Sequence, residues 1–170
     1  HRAKMSDSLK EISRHAPIWL DASHHATRVI NKDRHVGATT YFSREALLMA
    51  ALTGVGQVYI CSDKQRAAQL QRDTWRFCLD CTGVALKAAI GKPVIFSNGG
   101  EVHFVSYQTK REIKLDFADI YIDEGAWMKK DIDPCALVRR CRRSTHFSTL
   151  PDPNDAFEKL WKNHEGELPA

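Results

Sequence analysis

Apolar residues recur at two alternating spacings in this sequence. Short runs rich in β-branched and aromatic residues at 27–30 and 57–61 predict strands. Longer stretches with apolar residues every three or four positions predict helices over 39–52 and 63–78, and Gly54 supplies a stop after the first of them. Strands that alternate with helices are typical of a mainly parallel sheet flanked by helices.

The second half of the chain adds further strands and a hairpin. The runs 93–96 and 101–105 are joined by Ser-Asn-Gly-Gly, and Asn-Gly is a strong hairpin signal. A further strand is predicted over 118–122, a basic helix over 134–142 and a last strand over 146–150. The predicted fold class is therefore α/β, with a mainly parallel sheet, flanking helices and an inserted β-hairpin.

Length and composition limit the class of protein. The 170 residues suit one domain, and a hydrophobic fraction of 43% is enough to bury a core. No apolar run approaches the roughly eighteen residues of a membrane helix. The odd number of five cysteines favours reduced thiols, so we expect a soluble, cytoplasmic protein. Residues 1–4 resemble an expression remnant ahead of a native start at Met5, although a fragment of a longer protein would look the same.

The junction between the first strand and the first long helix, residues 29–39, is a candidate phosphate loop. A helix N-terminus offers unpaired N–H groups and a positive dipole end, and Gly37 and Thr39 suit a tight turn and a Mg²⁺-binding hydroxyl. The usual pattern G-x-x-x-x-G-K-[ST] fails twice, because Lys32 occupies the first glycine position and Ala38 the lysine position. Taken alone, the segment fits either a phosphate loop or an ordinary turn.

Two adjacent carboxylates, Asp123 and Glu124, end the later apolar strand. The carboxyl ends of strands are where α/β sheets place their ligands. Asp123 could bind Mg²⁺ directly or through water, while Glu124 could polarise a water for attack on a γ-phosphate. Alternatively, the pair only opens the loop before Trp127. The upstream candidate phosphate loop favours the functional interpretation.

These motifs together resemble a known family, the ATPase part of the large terminase subunit of tailed bacteriophages. One branch of that family has a Walker A motif K-S-R-Q-I-G-A-T, and residues 32–39, K-D-R-H-V-G-A-T, are similar to it position by position, including the alanine. The similarity runs from about residue 19 to about residue 162 and includes the hairpin 96–104, the strand 120–124 and the segment 146–149. The resemblance implies a P-loop NTPase-like fold.

The resemblance implies a nucleotide-binding role for the Walker A segment. The residues expected to bind the phosphates of ATP are Lys32, Arg34, His35, Val36, Gly37, Ala38 and Thr39. The side chain of Ala38 has no group that can contact a phosphate. We therefore expect Lys32 or Arg34 to supply the cation from the start of the loop.

The resemblance also implies roles for the two later motifs. Asp123 would bind Mg²⁺ together with Thr39, and Glu124 would activate the attacking water. Ser148 and Thr149 would couple hydrolysis to the movement of double-stranded DNA. The implied partners are double-stranded DNA, a terminase small subunit or portal, and further copies of the chain in a ring, in the cytoplasm of the host cell.

Some positions depart from the family pattern. Leu150 replaces the coupling proline, Asp33 places a negative charge inside the loop, and residues 110–116 replace a glycine-rich approach to the Walker B strand. Relatives continue into a nuclease domain, whereas this chain ends at Ala170. We therefore expect residues 5–170 to form a single ATPase domain without a nuclease domain.

Two functions stay open at this point. The first is a P-loop ATPase that uses Mg²⁺ and ATP to power the packaging of DNA. The second is a stand-alone, catalytically weak module that binds nucleotide, DNA or terminase partners in a regulatory role. The altered loops favour the second, and the intact Asp123, Glu124 and Thr39 favour the first. A fragment whose absent portions complete the site would explain the same omissions.

A cluster of arginines lies in the predicted basic helix. Its members are Arg139, Arg140, Arg142 and Arg143. A helix that carries these charges cannot bury them all, so at least one face is solvated or meets an anion. A DNA backbone and a plain solvated face explain the cluster about equally well.

Overall fold

The computed structural model describes residues 9–10, 12–24, 26–32, 37–82, 85–87, 89–109, 111–124 and 134–149. In chain order its elements are α1 (Ala16–Asp21), a 3₁₀ turn (Ala22–His24), β1 (Thr27–Asn31), α2 (Ala38–Thr53), β2 (Gln57–Cys61), α3 (Lys64–Thr82), β3 (Ala85–Lys87), β4 (Val94–Phe96), β5 (Glu101–Ser106), β6 (Ile113–Asp123), a second 3₁₀ turn (Pro134–Leu137) and β7 (Val138–Ser148). None of the described helices is long and apolar enough to cross a membrane.

The described strands form one seven-stranded sheet in the order β1-β7-β6-β2-β5-β4-β3. Strands β1, β7, β6, β2 and β5 run parallel to one another. At one side of the sheet β4 pairs antiparallel with β5, and β3 pairs antiparallel with β4. This topology confirms the predicted α/β class and the inserted hairpin. Because β7 lies between β1 and β6, the carboxyl ends of these three strands meet at one edge of the sheet.

Most predicted elements occur close to their expected positions. The two helices correspond to α2 and α3, and the strands at 27–30 and 57–61 correspond to β1 and β2. The strand predicted over 118–122 is the second half of β6, an eleven-residue strand. Strand β3 was not predicted, because three residues carry too little pattern to distinguish a strand from a loop.

The predicted basic helix over 134–142 is wrong. Pro134–Leu137 forms only a 3₁₀ turn, and the chain then continues as β7. The strand predicted over 146–150 is the end of this same strand, and Leu150 lies outside the described residues. Pairing with β6 along the arginine segment, and with β1 over the residues that follow it, overrides the helix propensity of the arginines.

Helix α2 lies at the centre of the main core. Its buried residues pack against aromatic side chains from β2, β6 and β7, including Tyr59, Tyr121 and Phe147. At the far end of the helix, the side-chain amide of Asn98 donates to the carbonyls of Ala50 and Ala51, both at 3.0 Å. The β4–β5 turn thus pairs with carbonyls of the last turn of the helix.

A buried ion pair also holds α2 against the sheet. The guanidinium of Arg28 on β1 donates to both carboxylate oxygens of Glu45 on α2, at 2.9 and 2.6 Å. The hydroxyl of Tyr121 on β6 donates to Glu45 as well, at 2.7 Å, and the Arg28 Nε donates to Thr145 on β7 at 3.0 Å. Because four elements share this network, it determines where α2, and with it the start of the helix, lies relative to the sheet.

Candidate functional site

Residues from three neighbouring strands and one helix converge at the carboxyl edge of the sheet. Lys32 follows β1, Glu124 follows β6, Ser148 ends β7, and Thr39 lies in the first turn of α2. The main-chain N–H of Lys32 donates to the carbonyl of Ser148 at 2.9 Å, which extends the pairing of β1 with β7 by one residue. The strand order alone therefore brings together residues that are more than 100 positions apart in sequence.

The turn into α2 depends on Gly37. This residue has a φ of +82°, a conformation that side chains with a Cβ adopt at a cost. A Cβ at this position would lie 3.2 Å from the carbonyl oxygen of Ile12 and 3.4 Å from the Cβ of Ser13. The helix starts at once, because the N–H of Tyr41 donates to the carbonyl of Gly37 at 2.9 Å. Gly37 thus allows the chain to turn closely against the segment that precedes α1.

The structure describes only part of the predicted phosphate loop. Arg34, His35 and Val36 lie outside the described residues, so their predicted contacts with phosphate stay predictions. The methyl group of Ala38 is buried in the main core. This burial agrees with the expectation that a phosphate-binding cation comes from another position of the loop.

Asp123 has the environment of a cation ligand. Its Oδ2 accepts hydrogen bonds from the hydroxyls of Thr39 and Tyr59, both at 2.8 Å. Its Oδ1 is buried and has no hydrogen-bond partner among the described residues. Burial raises the pKa of the Asp123 carboxyl, while the two hydroxyl donors act in the opposite direction.

The carboxylate of Asp123 and the hydroxyl of Thr39 are oxygen ligands of the kind that Mg²⁺ binds. A buried carboxylate oxygen without a partner is costly unless something pairs with it. Mg²⁺ prefers oxygen ligands and is usually held in proteins by one or two carboxylates together with water and phosphate oxygens. Asp123, with the hydroxyl of Thr39 beside it, could therefore hold this ion.

Glu124 is held by contacts from the ends of β1 and β7. Its Oε1 lies 2.8 Å from the Nζ of Lys32, and its Oε2 accepts from the hydroxyl of Ser148 at 3.1 Å. The main-chain N–H and the hydroxyl of Thr149 lie 3.4 Å from the same Oε2. Partial burial acts to raise the pKa of Glu124, but the hydrogen bond and charge of Lys32 outweigh it and the pKa is lowered. The carboxylate is therefore ionised at neutral pH and able to accept hydrogen bonds.

The backbone at Glu124 is unusual. Its φ is +53°, in the left-handed region that few residues other than glycine occupy. The residue immediately follows the last position of β6, so the chain turns sharply as it leaves the sheet. This turn directs the Glu124 side chain toward Lys32 and the end of β7, although the preceding Asp123 contacts β2 and α2.

Two tyrosines at the site escaped the sequence analysis. Tyr59 on β2 donates to the Asp123 carboxylate, and Tyr107, just after β5, donates to the main-chain carbonyl of Asp123. Burial raises the pKa of Tyr59 far above its ordinary value, and the charge of Asp123 adds to this effect. Both hydroxyls are therefore neutral donors. A buried tyrosine usually needs a hydrogen-bond partner for its hydroxyl, and this is the only indication that the sequence gives. Which residue becomes the partner depends on the strand order.

The arginine cluster lies toward the other end of β7, away from these residues. Arg142 makes a bidentate ion pair with Asp119 at 2.9 and 2.8 Å, and Arg143 donates to the carbonyl of Ser23. The remaining two arginines face solvent, and one of them, Arg140, pairs with the exposed Asp116. Three of the four arginines predicted to contact DNA thus make contacts within the protein, and of these three only Arg140 is exposed.

Comparison with known proteins identifies close similarity to one group. A family model described as the terminase large subunit, T4likevirus-type, N-terminal, matches residues 29–168. The probable terminase ATPase subunit of Haemophilus phage HP1 is 31% identical over 166 residues, which cover 95% of this chain and 26% of that protein. The terminase ATPase subunit of Escherichia phage P2 is 30% identical over 160 residues, covering 88% of this chain and 25% of that protein. The chain thus spans about a quarter of the length of these curated relatives.

Solved structures support the fold. The large terminase ATPase domain of Thermus phage P74-26 superimposes with a TM-score of 0.68 at 14% identity, covering 92% of this chain and 72% of that one. The large terminase of bacteriophage HK97 gives the same TM-score at 10% identity, covering all of this chain and 43% of its own. At these identities the likeness establishes the architecture alone.

Proposed function

This chain belongs to the family of T4likevirus-type terminase large subunits, whose N-terminal model it matches over most of its length, and we propose that it is an ATPase domain that powers the packaging of double-stranded DNA. The observation that carries the proposal is the meeting of four side chains at one sheet edge. Thr39 contacts Asp123, and Lys32 contacts Glu124, each at 2.8 Å. These groups supply the oxygen ligands, the cation and the ionised carboxylate that ATP hydrolysis needs.

The phosphates of ATP bind at the start of α2. The first N–H groups of a helix have no partners within the helix, and they lie at the positive end of its dipole. Lys32 adds a full positive charge beside them, and its side chain is only 9% exposed. A buried ammonium group meets a phosphate in an environment where water screens the attraction weakly. Arg34 is a second proposed phosphate ligand, in the part of the loop that the structure does not describe.

Asp123 and Thr39 hold Mg²⁺ at this site. When bound, the ion supplies positive charge to the phosphoryl group that is transferred. Tyr59 orients the carboxylate, because its hydroxyl occupies Oδ2 and leaves Oδ1 without a partner from the described residues. The hydroxyl of Thr39 donates to the same Oδ2, and this hydrogen bond fixes its orientation. These two donors therefore hold the carboxylate in one rotamer before any ligand binds.

Glu124 accepts a hydrogen bond from the attacking water. The water oxygen attacks the γ-phosphorus in line with the bond to the leaving ADP, and the water proton passes toward the carboxylate. The lowered pKa of Glu124 keeps the carboxylate ionised for this role. The ammonium group of Lys32 contacts the same carboxylate. This contact therefore holds the cation that binds phosphate next to the group that activates water.

Strand β7 links this chemistry to the rest of the domain. Ser148 and Thr149 contact Glu124 at one end of the strand, and Arg139 and Arg140 face solvent near the other. When the contacts of Glu124 with Ser148 and Thr149 change, the end of β7 moves, and the same strand carries the exposed Arg139 and Arg140 near its start. Double-stranded DNA is the proposed ligand of that surface, and a small subunit, a portal and a ring of further copies are the proposed partners of the whole protein. We assign residues 5–170 to one ATPase domain.

Calorimetric titration of the 170-residue chain with a non-hydrolysable ATP analogue, with and without Mg²⁺, tests the proposal. Thr39→Val should lower the affinity in the presence of Mg²⁺ by about tenfold and change it little without Mg²⁺, because an oxygen ligand of the ion is lost. Thr53→Val is the matched control, since this threonine lies at the other end of α2. Wild-type protein that binds no nucleotide, or equal affinities for the three proteins, would contradict the proposal.

A further inference from the structure

Asp123 is the residue at which β6 loses one of its two neighbouring strands. The pairing of β6 with β7 continues through Asp123. The pairing with β2 stops one residue earlier, at Ile122 and Ile60. The main-chain carbonyl of Asp123 therefore lies beyond the last pair of β2 with β6. Because a buried carbonyl needs a hydrogen-bond donor, this one depends on another part of the chain.

Tyr107 supplies that donor from the far side of β2. It follows β5, and its main-chain N–H donates to the carbonyl of Cys61 at 3.0 Å, which extends the pairing of β5 with β2 by one residue. Its side chain is 9% exposed and packs in the buried cluster that includes Ile60 and Ile122. With its backbone and its ring both held, Tyr107 reaches across the end of β2 and donates its hydroxyl to the carbonyl of Asp123.

The two tyrosines at Asp123 act on different parts of this residue. Tyr59 belongs to the main core with α2, and its hydroxyl donates to the side-chain carboxylate at 2.8 Å. Tyr107 packs in the other buried cluster and donates to the main-chain carbonyl. Burial raises the pKa of Tyr107, so its hydroxyl stays protonated and able to donate. Tyr59 therefore orients the proposed metal ligand, whereas Tyr107 fixes the course of the backbone.

The carbonyl of Asp123 determines how the next residue is oriented. This carbonyl and the N–H of Glu124 belong to one planar peptide group, so a hydrogen bond to the carbonyl holds both. The φ of Glu124 is +53°, a conformation that is costly for a residue with a Cβ. Rotation of the peptide group would relieve this cost. It would also turn the Glu124 side chain away from Lys32 and Ser148, which it now contacts.

We propose that Tyr107 is a positioning residue for hydrolysis, because its hydroxyl holds Glu124 in the left-handed turn that directs the carboxylate toward the ends of β1 and β7. The inference rests on the proposed function, in which Glu124 accepts a hydrogen bond from the attacking water. Tyr107 acts through Glu124 and not on the nucleotide. Its loss therefore slows the chemical step and leaves nucleotide binding unchanged.

Steady-state ATP hydrolysis by Tyr107→Phe, with Mg²⁺ and duplex DNA present, tests the inference. The variant keeps the ring and removes only the hydroxyl. Its kcat should fall by about tenfold, while its KM and its affinity for a non-hydrolysable ATP analogue stay within about twofold of wild type. Thr74→Val is the matched control, since it removes another buried hydroxyl, which donates to the carbonyl of Leu70 within α3 at 2.7 Å. The control should keep the kcat and KM of wild type, and thermal unfolding checks that both variants are folded.

A second measurement follows the backbone itself and does not depend on activity. The Cα and Cβ chemical shifts of a residue report its φ and ψ. Those of Glu124 should therefore move away from left-handed values in Tyr107→Phe and keep their wild-type values in Thr74→Val. NMR spectra of the isotope-labelled proteins without nucleotide provide the comparison.

The outcomes separate this inference from the function on which it rests. Wild-type kcat in Tyr107→Phe, or Glu124 shifts that match those of wild type, would overturn the role of Tyr107 and leave the proposed function intact. A raised KM with unchanged kcat would also overturn it, because Tyr107 would then act on nucleotide binding. Wild-type protein that hydrolyses no ATP would overturn both.

Discussion

The ammonium group of Lys32 lies 2.8 Å from the Oε1 of Glu124 and joins the residue after β1 to the residue after β6 across the end of β7. In the proposed function these two groups have different ligands, a phosphate and a water. In that proposal Lys32 would interact with two anions, the carboxylate and the nucleotide, and a bound phosphate would compete with Glu124 for its ammonium group. The ion pair links the proposed phosphate-binding cation to the proposed water-activating group.

Removal of this cation should weaken nucleotide binding. Lys32→Ala should lower the affinity for Mg²⁺ and ATP by about tenfold or more, because a poorly screened charge-assisted contact is lost. Lys64→Ala, an exposed lysine at the start of α3, should have little effect. Calorimetric titration of both variants makes the measurement. Equal affinities would show that the loop is a structural turn, or that Arg34 alone supplies the cation.

Alanine at Gly37 should destabilise the protein more than alanine at Gly99, a turn residue with a similar φ. Gly99 has a φ of +86° and Gly37 one of +82°, so alanine is strained at both, by about 1 kcal/mol. A Cβ at Gly37 also meets the Ile12 carbonyl at 3.2 Å, whereas one at Gly99 has nothing within 4 Å. Gly37→Ala should therefore lower the free energy of unfolding more than Gly99→Ala does. Urea unfolding of both variants makes the measurement. The same loss in both would argue against a close contact with the segment before α1.

Strand ends and turn residues were well predicted because their signals are local. The Asn-Gly pair predicted the β4–β5 turn, and the apolar run that ends in two carboxylates predicted a strand that ends at Asp123. The rule that parallel strands place ligands at their carboxyl ends then predicts that the loop residues approach the two carboxylates. In the structure Lys32 contacts Glu124 and Thr39 contacts Asp123. Their roles in catalysis stay predictions.

The rest of the site depends on long-range pairing that no local pattern contains. Tyr59 could be an ordinary core aromatic, and it reaches Asp123 only because β2 pairs with β6 in one register. The arginines of β7 have good helix propensity, and their partners Asp116 and Asp119 are more than twenty residues away. The sequence alone therefore predicts a helix for them, although cross-strand ion pairs and pairing with β6 favour the extended form.

The buried pair of Arg28 and Glu45 should be far more important for stability than an exposed pair. Glu45→Gln should lower the unfolding free energy by about 3–5 kcal/mol, because it leaves a buried guanidinium without its counter-charge. Asp116→Asn, which breaks the solvent-exposed pair with Arg140, should change stability little, since water screens such pairs. Urea unfolding of both variants measures the difference. Similar small losses would show that the network does not hold α2 against the sheet.

The two solvent-facing arginines should account for any contact of β7 with DNA. Changing Arg139 and Arg140 to alanine together should weaken binding to all duplex sequences alike and reduce the salt slope by about two, because backbone contacts release counterions. Lys64 and Arg72, exposed on α3, provide a charge-matched control when both are changed to alanine. Filter binding across a salt series is the measurement. Identical slopes for wild-type and Arg139/Arg140 proteins would exclude this surface as the DNA site.

ATP hydrolysis by wild-type protein and Glu124→Gln, measured with Mg²⁺ and duplex DNA present, tests the central claim most directly. The variant keeps the size of the side chain and removes the charge that accepts a proton, so hydrolysis should fall by about 100-fold or more. Binding of the non-hydrolysable analogue should persist. Equal hydrolysis rates would contradict the role of Glu124, and wild-type protein that binds ATP but never hydrolyses it would contradict the ATPase and favour a regulatory module.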